Sequence, residues 1–220
     1  KDGKFQIVLS GDHSNAGGTI AGIRMAYPDS TVGVIWIDAH ADLHTPFTTP
    51  SGNMHGMPLA VSLAEDNIEN KVNDLDYETI DLWEMLKNVG GIAPKVEYRD
   101  LLFMTLRDFE EQEAYLIKKN KVKVLSTTEI RKTGITKICR EAMKYLSHCD
   151  KIYISFDVDC LDPTVSRGTG TPVKGGLNER EAADIILDFV QNERVCCLEF
   201  TEVNPTLDSE NVMAETVFEI

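Results

Sequence analysis

The strongest constraint on this chain is a regular alternation of short β-branched, apolar runs with longer amphipathic stretches. Strand candidates lie at residues 5–10, 32–38, 101–106, 122–126, 151–157 and 195–201. Helix candidates lie at residues 17–27, 55–65, 77–88, 110–119, 135–147 and 179–192. Runs such as Val32-Gly-Val-Ile-Trp-Ile37 are apolar at successive positions, as a strand is when helices cover both faces of its sheet. Alternation at this spacing predicts βαβ units and an α/β fold, three layers (α-β-α) around a mostly parallel central sheet. The polar, acidic stretch 67–76 reads as a surface loop. No repeat, low-complexity tract or linker interrupts the pattern, so residues 1–220 are expected to form one domain. The chain opens almost directly on a strand candidate and closes in a helix-like stretch from Asn211 to Ile220, which raises the expectation of a natural protein extending beyond one or both ends.

In open α/β sheets ligands bind beyond the carboxyl ends of the strands. Three strand candidates end there in acid and histidine clusters: Ser10-Gly-Asp-His-Ser14, Trp36-Ile-Asp-Ala-His-Ala-Asp42 and Ser155-Phe-Asp-Val-Asp159. Residues two apart in extended chain point the same way, so Asp38, His40 and Asp42 can converge, and so can Asp157 and Asp159. Gathering these carboxylates at one edge is costly through like-charge repulsion unless cations lie among them. Four or more carboxylates with two imidazoles make an oxygen-rich donor set that favours manganese, with cobalt, nickel or iron(II) also compatible. That number of donors suits two ions, which together can turn water into a nucleophile at neutral pH. A lone DxD is commonly a turn feature, and a lone histidine after a strand is commonly structural. Here His13, His40, His44 and His55, four of the five histidines, share these segments. Only His148 stands apart, at a helix end where a capping role is expected.

Charge narrows the function classes further. A formal net charge of −14 excludes a cationic face for nucleic acid and disfavours anionic membrane surfaces, and an acidic field can draw in a cationic substrate. No apolar run is long enough to cross a bilayer. The five cysteines, Cys139, Cys149, Cys160, Cys196 and Cys197, include no CxxC pair, which fits a reducing cytoplasm better than a disulfide framework.

Taken together, Gly11-Asp-His-Ser14, Asp38-Ala-His-Ala-Asp42, Ser155-Phe-Asp-Val-Asp-Cys-Leu-Asp-Pro163 and Gly170-Thr-Pro172 resemble the signature blocks of the ureohydrolases, in matching order and spacing. Within that family Ser51-Gly-Asn-Met-His-Gly56 and Glu202-Val-Asn-Pro205 look most like arginase, rather than agmatinase or formiminoglutamase. The resemblance implies two manganese ions per subunit. His13, Asp38, Asp42 and Asp157 would hold one, and His40, Asp38, Asp157 and Asp159 the other. A hydroxide shared by the ions would attack the guanidinium carbon of L-arginine, yielding L-ornithine and urea. Asp42 would steady that hydroxide, His55 would carry a proton to the departing amine, and Glu202 would orient the guanidinium with Thr171 close by.

By the same resemblance, substrate identity rests on the loop 43–53, which also holds Asn53, and on Arg107-Asp-Phe-Glu110; Thr49 and Ser51 of the loop would meet the substrate α-carboxylate. Two positions depart from the common arginase pattern: His44 stands where Asn is usual, and Glu110 where Asp is usual. Histidine can still donate to a carboxylate and glutamate can still pair with an ammonium, with altered reach. Three rivals stand beside this reading: another guanidino or amidino hydrolase such as agmatinase, a non-catalytic metal-binding homologue, and a one-zinc deacetylase-like hydrolase. The resemblance also implies a homo-oligomer, trimeric or hexameric.

Overall fold

The computed structural model describes residues 4–208 and 210–220. Six strands, β1 (Gln6–Leu9), β2 (Val32–Ile37), β3 (Leu101–Met104), β4 (Lys123–Leu125), β5 (Lys151–Asp157) and β6 (Val195–Thr201), form one sheet in the order β1-β6-β5-β2-β3-β4. Every pairing is parallel. The helices are α1 (Asn15–Ala26), α2 (Pro58–Leu63), α3 (Tyr77–Lys87), α4 (Glu111–Lys119), α5 (Thr127–Thr133), α6 (Ile135–Tyr145), α7 (Glu179–Val190) and α8 (Val212–Glu219).

The apolar runs are explained by what lies on each face. From β2, Ile35 and Ile37 join Leu102, Met104, Ile154 and Phe156 beneath Ile138 and Ala142 of α6 and Ile185 and Phe189 of α7. Val34 and Trp36 point to the other face, with Leu101, Phe103 and Tyr153, against Ile20 of α1, Leu59 of α2 and Leu116 of α4. All six residues of β2 are buried, so neither side of its pleat can be polar. The three-layer arrangement expected from the sequence is therefore present.

Some local expectations need correction. Helix α5 was not among the expected elements, because Thr-Thr-Glu-Ile-Arg-Lys-Thr is short and rich in β-branched residues. It forms through a reciprocal cap in which Ser126 Oγ accepts from the Glu129 N–H while the Ser126 N–H donates to Glu129, and it is tied down by buried Ile130. His55 does not open α2: it sits in a separate single turn, Met54–Gly56, and α2 starts at Pro58, where the missing N–H is harmless. His148 lies beyond the last turn of α6 and binds Asp100 instead of capping, with Nε2 2.8 Å from Oδ1.

The topology also fixes where a site can form. From β2 the sheet continues through β3 to β4, whereas from β5 it continues in the opposite direction to β6 and then β1. β2 and β5 are thus neighbours at a switch point, and the crevice beyond their carboxyl ends is the place where this class of sheet receives ligands.

Candidate metal centre and cleft

Four strand ends deliver the candidate residues to that crevice. Asp38 follows β2, Asp157 ends β5, Asp159 occupies the turn Val158–Cys160, and His13 and Glu202 follow β1 and β6. His13 Nδ1 lies 3.2 Å from Asp38 Oδ2, 3.0 Å from Asp42 Oδ2 and 3.0 Å from Asp157 Oδ2, with all four side chains buried. His40 Nδ1 lies 2.8 Å from Asp159 Oδ2 and 3.6 Å from Asp38 Oδ1. Two donor triplets result, His13–Asp38–Asp42 and Asp38–His40–Asp159, each compact enough to embrace one ion and both containing Asp38.

The surroundings orient these donors. Asp157 Oδ1 accepts from the Asp159 N–H at 2.8 Å, Asp159 Oδ1 from the Ala39 N–H at 3.1 Å, and Asp38 Oδ1 from the His40 N–H at 2.7 Å. His13 Nε2 meets Ser155 Oγ at 2.7 Å, and its ring stacks on Trp36 with centroids 4.2 Å apart. The buried hydroxyl of Thr105 donates to the Asp38 carbonyl at 2.9 Å. Arg107, in a segment expected to bear on the substrate, turns its guanidinium toward carbonyls instead: Asp159 at 2.7 Å, Val173 at 2.8 Å, Thr105 at 3.0 Å and Lys174 at 3.1 Å. It straps the 159–174 loop to the end of β3.

The electrostatics show a site short of positive charge. Burial works against a charged imidazole at His13, yet Asp157, Asp38 and Asp42 outweigh it and hold the pKa well above the usual value. At His40 burial is likewise outweighed, by Asp159 and Asp38, and the pKa is pushed up to about 12. Burial and Asp38 push Asp42 up to about 6. Burial, with neighbouring carboxylates, also raises Asp157 and Asp159. Asp38 is held far below the carboxylate range, because His13 and His40 overcome its burial. His13 Nδ1 and Asp38 Oδ2 are buried without a properly directed hydrogen-bond partner, and both face the same point. An oxygen-rich donor set with unfilled lone pairs fits divalent ions well.

Above this cluster opens a cleft of about 260 Å³. Of the residues singled out from the sequence, His13, His40, Asp42, His44, Thr49, Ser51, Asn53, His55, Glu110, Asp157, Asp159, Thr171 and Glu202 line it, while Asp38 lies beneath. Glu202 Oε1 accepts from the His13 N–H at 2.7 Å, and Thr171 Oγ1 donates to Asp159 Oδ2 at 3.1 Å. Thr49 Oγ1 accepts from the N–H of Ser51 and of Gly52, which folds the loop into a tight turn. Asp108, within the segment Arg107-Asp-Phe-Glu110, lines the cleft too, as does Glu113, which lies outside the segments singled out from the sequence. For Glu113 a signal existed: Glu110-x-x-Glu113 at a helix start has the spacing of a capping box, and Glu113 Oε2 accepts the Glu110 N–H at 3.0 Å.

Residues 1–220 match the arginase family in full. The chain is 41% identical over 217 residues to an arginase of Bacillus subtilis, covering 99% of this chain and 67% of that protein. It is 39% identical over 209 residues to human arginase-1, covering 94% of this chain and 60% of that protein. The chain thus spans roughly two thirds or less of the length of these relatives. The crystal structure of Bacillus subtilis arginase superposes with a TM-score of 0.84, over 99% of this chain and 71% of that one. Signature blocks, sheet, switch-point cluster and relatives agree: this chain belongs to the arginase family.

Proposed function

We propose that this chain hydrolyses L-arginine to L-ornithine and urea at a pair of manganese ions, with cobalt, nickel or iron(II) as chemically compatible replacements. The observation that carries this reading is Asp38, shared by two donor triplets on the floor of an acid-lined cleft that also receives Glu202. His13, Asp38, Asp42 and Asp157 would hold one ion, and His40, Asp38, Asp157 and Asp159 the other. When bound, such a pair lowers the pKa of water enough to supply a nucleophile at neutral pH.

The remaining work falls to the chain's own side chains. One oxygen of Glu202 is occupied by the His13 N–H, so the carboxylate is held in place while its other oxygen stays available to a guanidinium N–H. Asp42, at the cleft wall, orients the attacking water. Thr171 steadies Asp159 through its hydroxyl. His55, which lines the cleft, hands a proton to the departing amine. Further out, Glu110 offers a carboxylate to the α-ammonium group, while Thr49, Ser51, Asn53 and His44 occupy the wall expected to receive the α-carboxylate. The net charge of −14 favours approach of a cationic substrate.

Because a single sheet carries both hydrophobic cores, residues 1–220 are read as one domain. A cytoplasmic homo-oligomer, trimeric or hexameric, completes the reading, and sedimentation of the metal-loaded protein tests the assembly. No described helix is long and apolar enough to cross a membrane.

The reaction itself is tested by urea release from the manganese-loaded chain, with L-arginine and agmatine compared on one preparation. Urea from arginine but not agmatine is the expected result. Urea from neither, with two ions bound per chain, refutes the assignment.

A further inference from the structure

His44 has both ring nitrogens engaged inside the cleft wall, away from the cluster of His13 and His40. Its Nδ1 lies 3.2 Å from Thr48 Oγ1, and its Nε2 lies 3.0 Å from Glu110 Oε2 and 3.6 Å from Glu113 Oε2. Thr48 Oγ1 already accepts from the Thr45 N–H at 3.0 Å, so its hydrogen is free to go to His44 Nδ1. That leaves the ring proton on Nε2, where it donates to Glu110. The ring is 7% exposed, with no third polar atom to offer a ligand.

Glu110 is gripped from other sides as well. Glu113 is buried behind it, and its two oxygens accept from the N–H groups of Leu43 and Glu110, each at 3.0 Å. Burial, then the neighbouring Glu110, pushes Glu113 up to about 8. Burial acts against ionisation of Glu110, but the bonds from Glu113 and His44 prevail and keep it an anion. Glu110 also caps α4, so its backbone is fixed. Of the three, it alone presents substantial surface to the cleft, its side chain being 55% exposed.

We propose that His44 is a positioning residue: it fixes the Glu110 carboxylate as the anchor for a second cationic group on the substrate, and does not itself touch the substrate. The inference rests on the arginase-type reading of the cleft and extends it. With the anchor immobile, its distance from the metal cluster is set, and the site selects guanidino compounds whose ammonium lies at the matching distance. A substrate one methylene longer or shorter is discriminated against because the carboxylate cannot follow it.

The test is a double-mutant cycle on the full, manganese-loaded chain with L-arginine, using His44→Ala, Glu110→Ala, the double variant and His44→Gln. Loss of a hydrogen bond to a charged group raises KM in His44→Ala about tenfold, with kcat within about twofold. His44→Gln, whose amide N–H reaches about as far as Nε2, recovers most of this, and preference for arginine over homoarginine narrows in His44→Ala. In the Glu110→Ala background, His44→Ala adds no further change. Additive KM effects in the double variant would show direct contact between His44 and substrate and overturn the proposal; so would an unchanged KM, or a loss of bound manganese in His44→Ala. The same cycle read by calorimetric binding of L-ornithine separates this inference from the reaction on which it rests. Ornithine binding without urea release sinks the proposed reaction, whereas absence of coupling between His44 and Glu110 sinks only the positioning role.

Discussion

Metal loading of this site should be strongly coupled to proton release. In the cation-free fold the carboxylates around His13 and His40 outweigh burial and lift the one well above its usual value and the other to about 12, which favours the protonated imidazole at both. A metal ion needs the unprotonated nitrogen, so each imidazole that becomes a ligand must release its proton. Two imidazoles give about two protons per loaded site, and Asp157 and Asp159, also raised, add to that number if they hold protons. Each proton displaced improves loading by about 1.4 kcal/mol per pH unit, so going from pH 7 to pH 8 should tighten the product of the two binding constants about a hundredfold. Calorimetry of Mn²⁺ binding at one pH in two buffers of different ionisation enthalpy counts the protons directly, and His40→Gln should lower the count by about one. The cation-free protein should respond to pH with the opposite sign. Histidines with raised folded values stabilise most below about pH 6.5 and lose that stabilisation as pH rises toward the folded value. Carboxyls with raised folded values likewise lose stability with rising pH, from about pH 4 up to their folded values, so every group in the cluster except Asp38 pulls the same way. A chelator-treated sample should therefore melt lower at pH 8 than at pH 7, while manganese-loaded protein does not. A proton count near zero, or an affinity flat from pH 6 to 8, would show that the imidazoles are neutral before the metal arrives and would refute this reasoning.

Three further perturbations probe the scaffold. A Cβ on Gly176 would lie 2.4 Å from Leu161 C, 2.5 Å from Asp162 N and 2.5 Å from Cys160 O, all backbone, so Gly176→Ala must open the Leu161–Leu177 bridge; it should cost at least about 1–3 kcal/mol in urea denaturation and weaken manganese binding through nearby Asp159. Arg107→Lys replaces a fork that meets four carbonyls with a point charge that cannot span them, and should destabilise by about 2–4 kcal/mol on the same assay while loosening metal binding. Tyr153→Phe leaves an oxygen of fully buried Glu199 without the 2.8 Å hydroxyl bond that now satisfies it, while Ser10 keeps the other at 2.7 Å; the loss should be about 1–3 kcal/mol, seen as a melting temperature lower by several degrees with the manganese stoichiometry unchanged.

How much of this was legible in advance follows from which forces act locally. All six strands were readable because residues such as Val34 and Ile35 are forced apolar by cover on both faces, and the observed ends shift by only one or two residues. The grouping of acids and histidines was readable because most of its members, Asp38, His40 and Asp42, and Asp157 and Asp159, lie two apart in the chain at strand ends, a spacing that survives translation into geometry. What was not readable depends on partners remote in sequence. Arg107 looked like part of a substrate segment, and only the folded loop brings it the carbonyls of Val173 and Lys174. His148 looked like a cap until Asp100, 48 residues away, supplied a carboxylate. His55 kept its place in the cleft although its local structure was misread, since Pro58 and not the histidine sets the start of α2.

The site is also where the chain breaks the local rules it obeys elsewhere. Asp42, Thr105 and Glu202 adopt left-handed backbone at φ of 50°, 68° and 67°, a region costly for non-glycine residues and most of all for a β-branched threonine. Thr105 and Glu202 directly follow β3 and β6 and Asp42 lies in the segment after β2, and each bears on the cluster: Asp42 against His13, Thr105 on the Asp38 carbonyl, Glu202 on the His13 N–H. The strain is sustained because Asp38 cannot yield, following directly on a strand whose residues are all buried between two helix layers. If the central carboxylate cannot move away from its neighbours, repulsion among the acids can be relieved only by protons or by metal ions. Protons on His13 and His40 leave His13 Nδ1 and Asp38 Oδ2 without a proper partner, whereas an ion lying between them would satisfy both atoms at once. With Asp38 fixed at the end of a buried strand, ions held by this cluster would find the donors already gathered, and their binding would act chiefly by displacing protons.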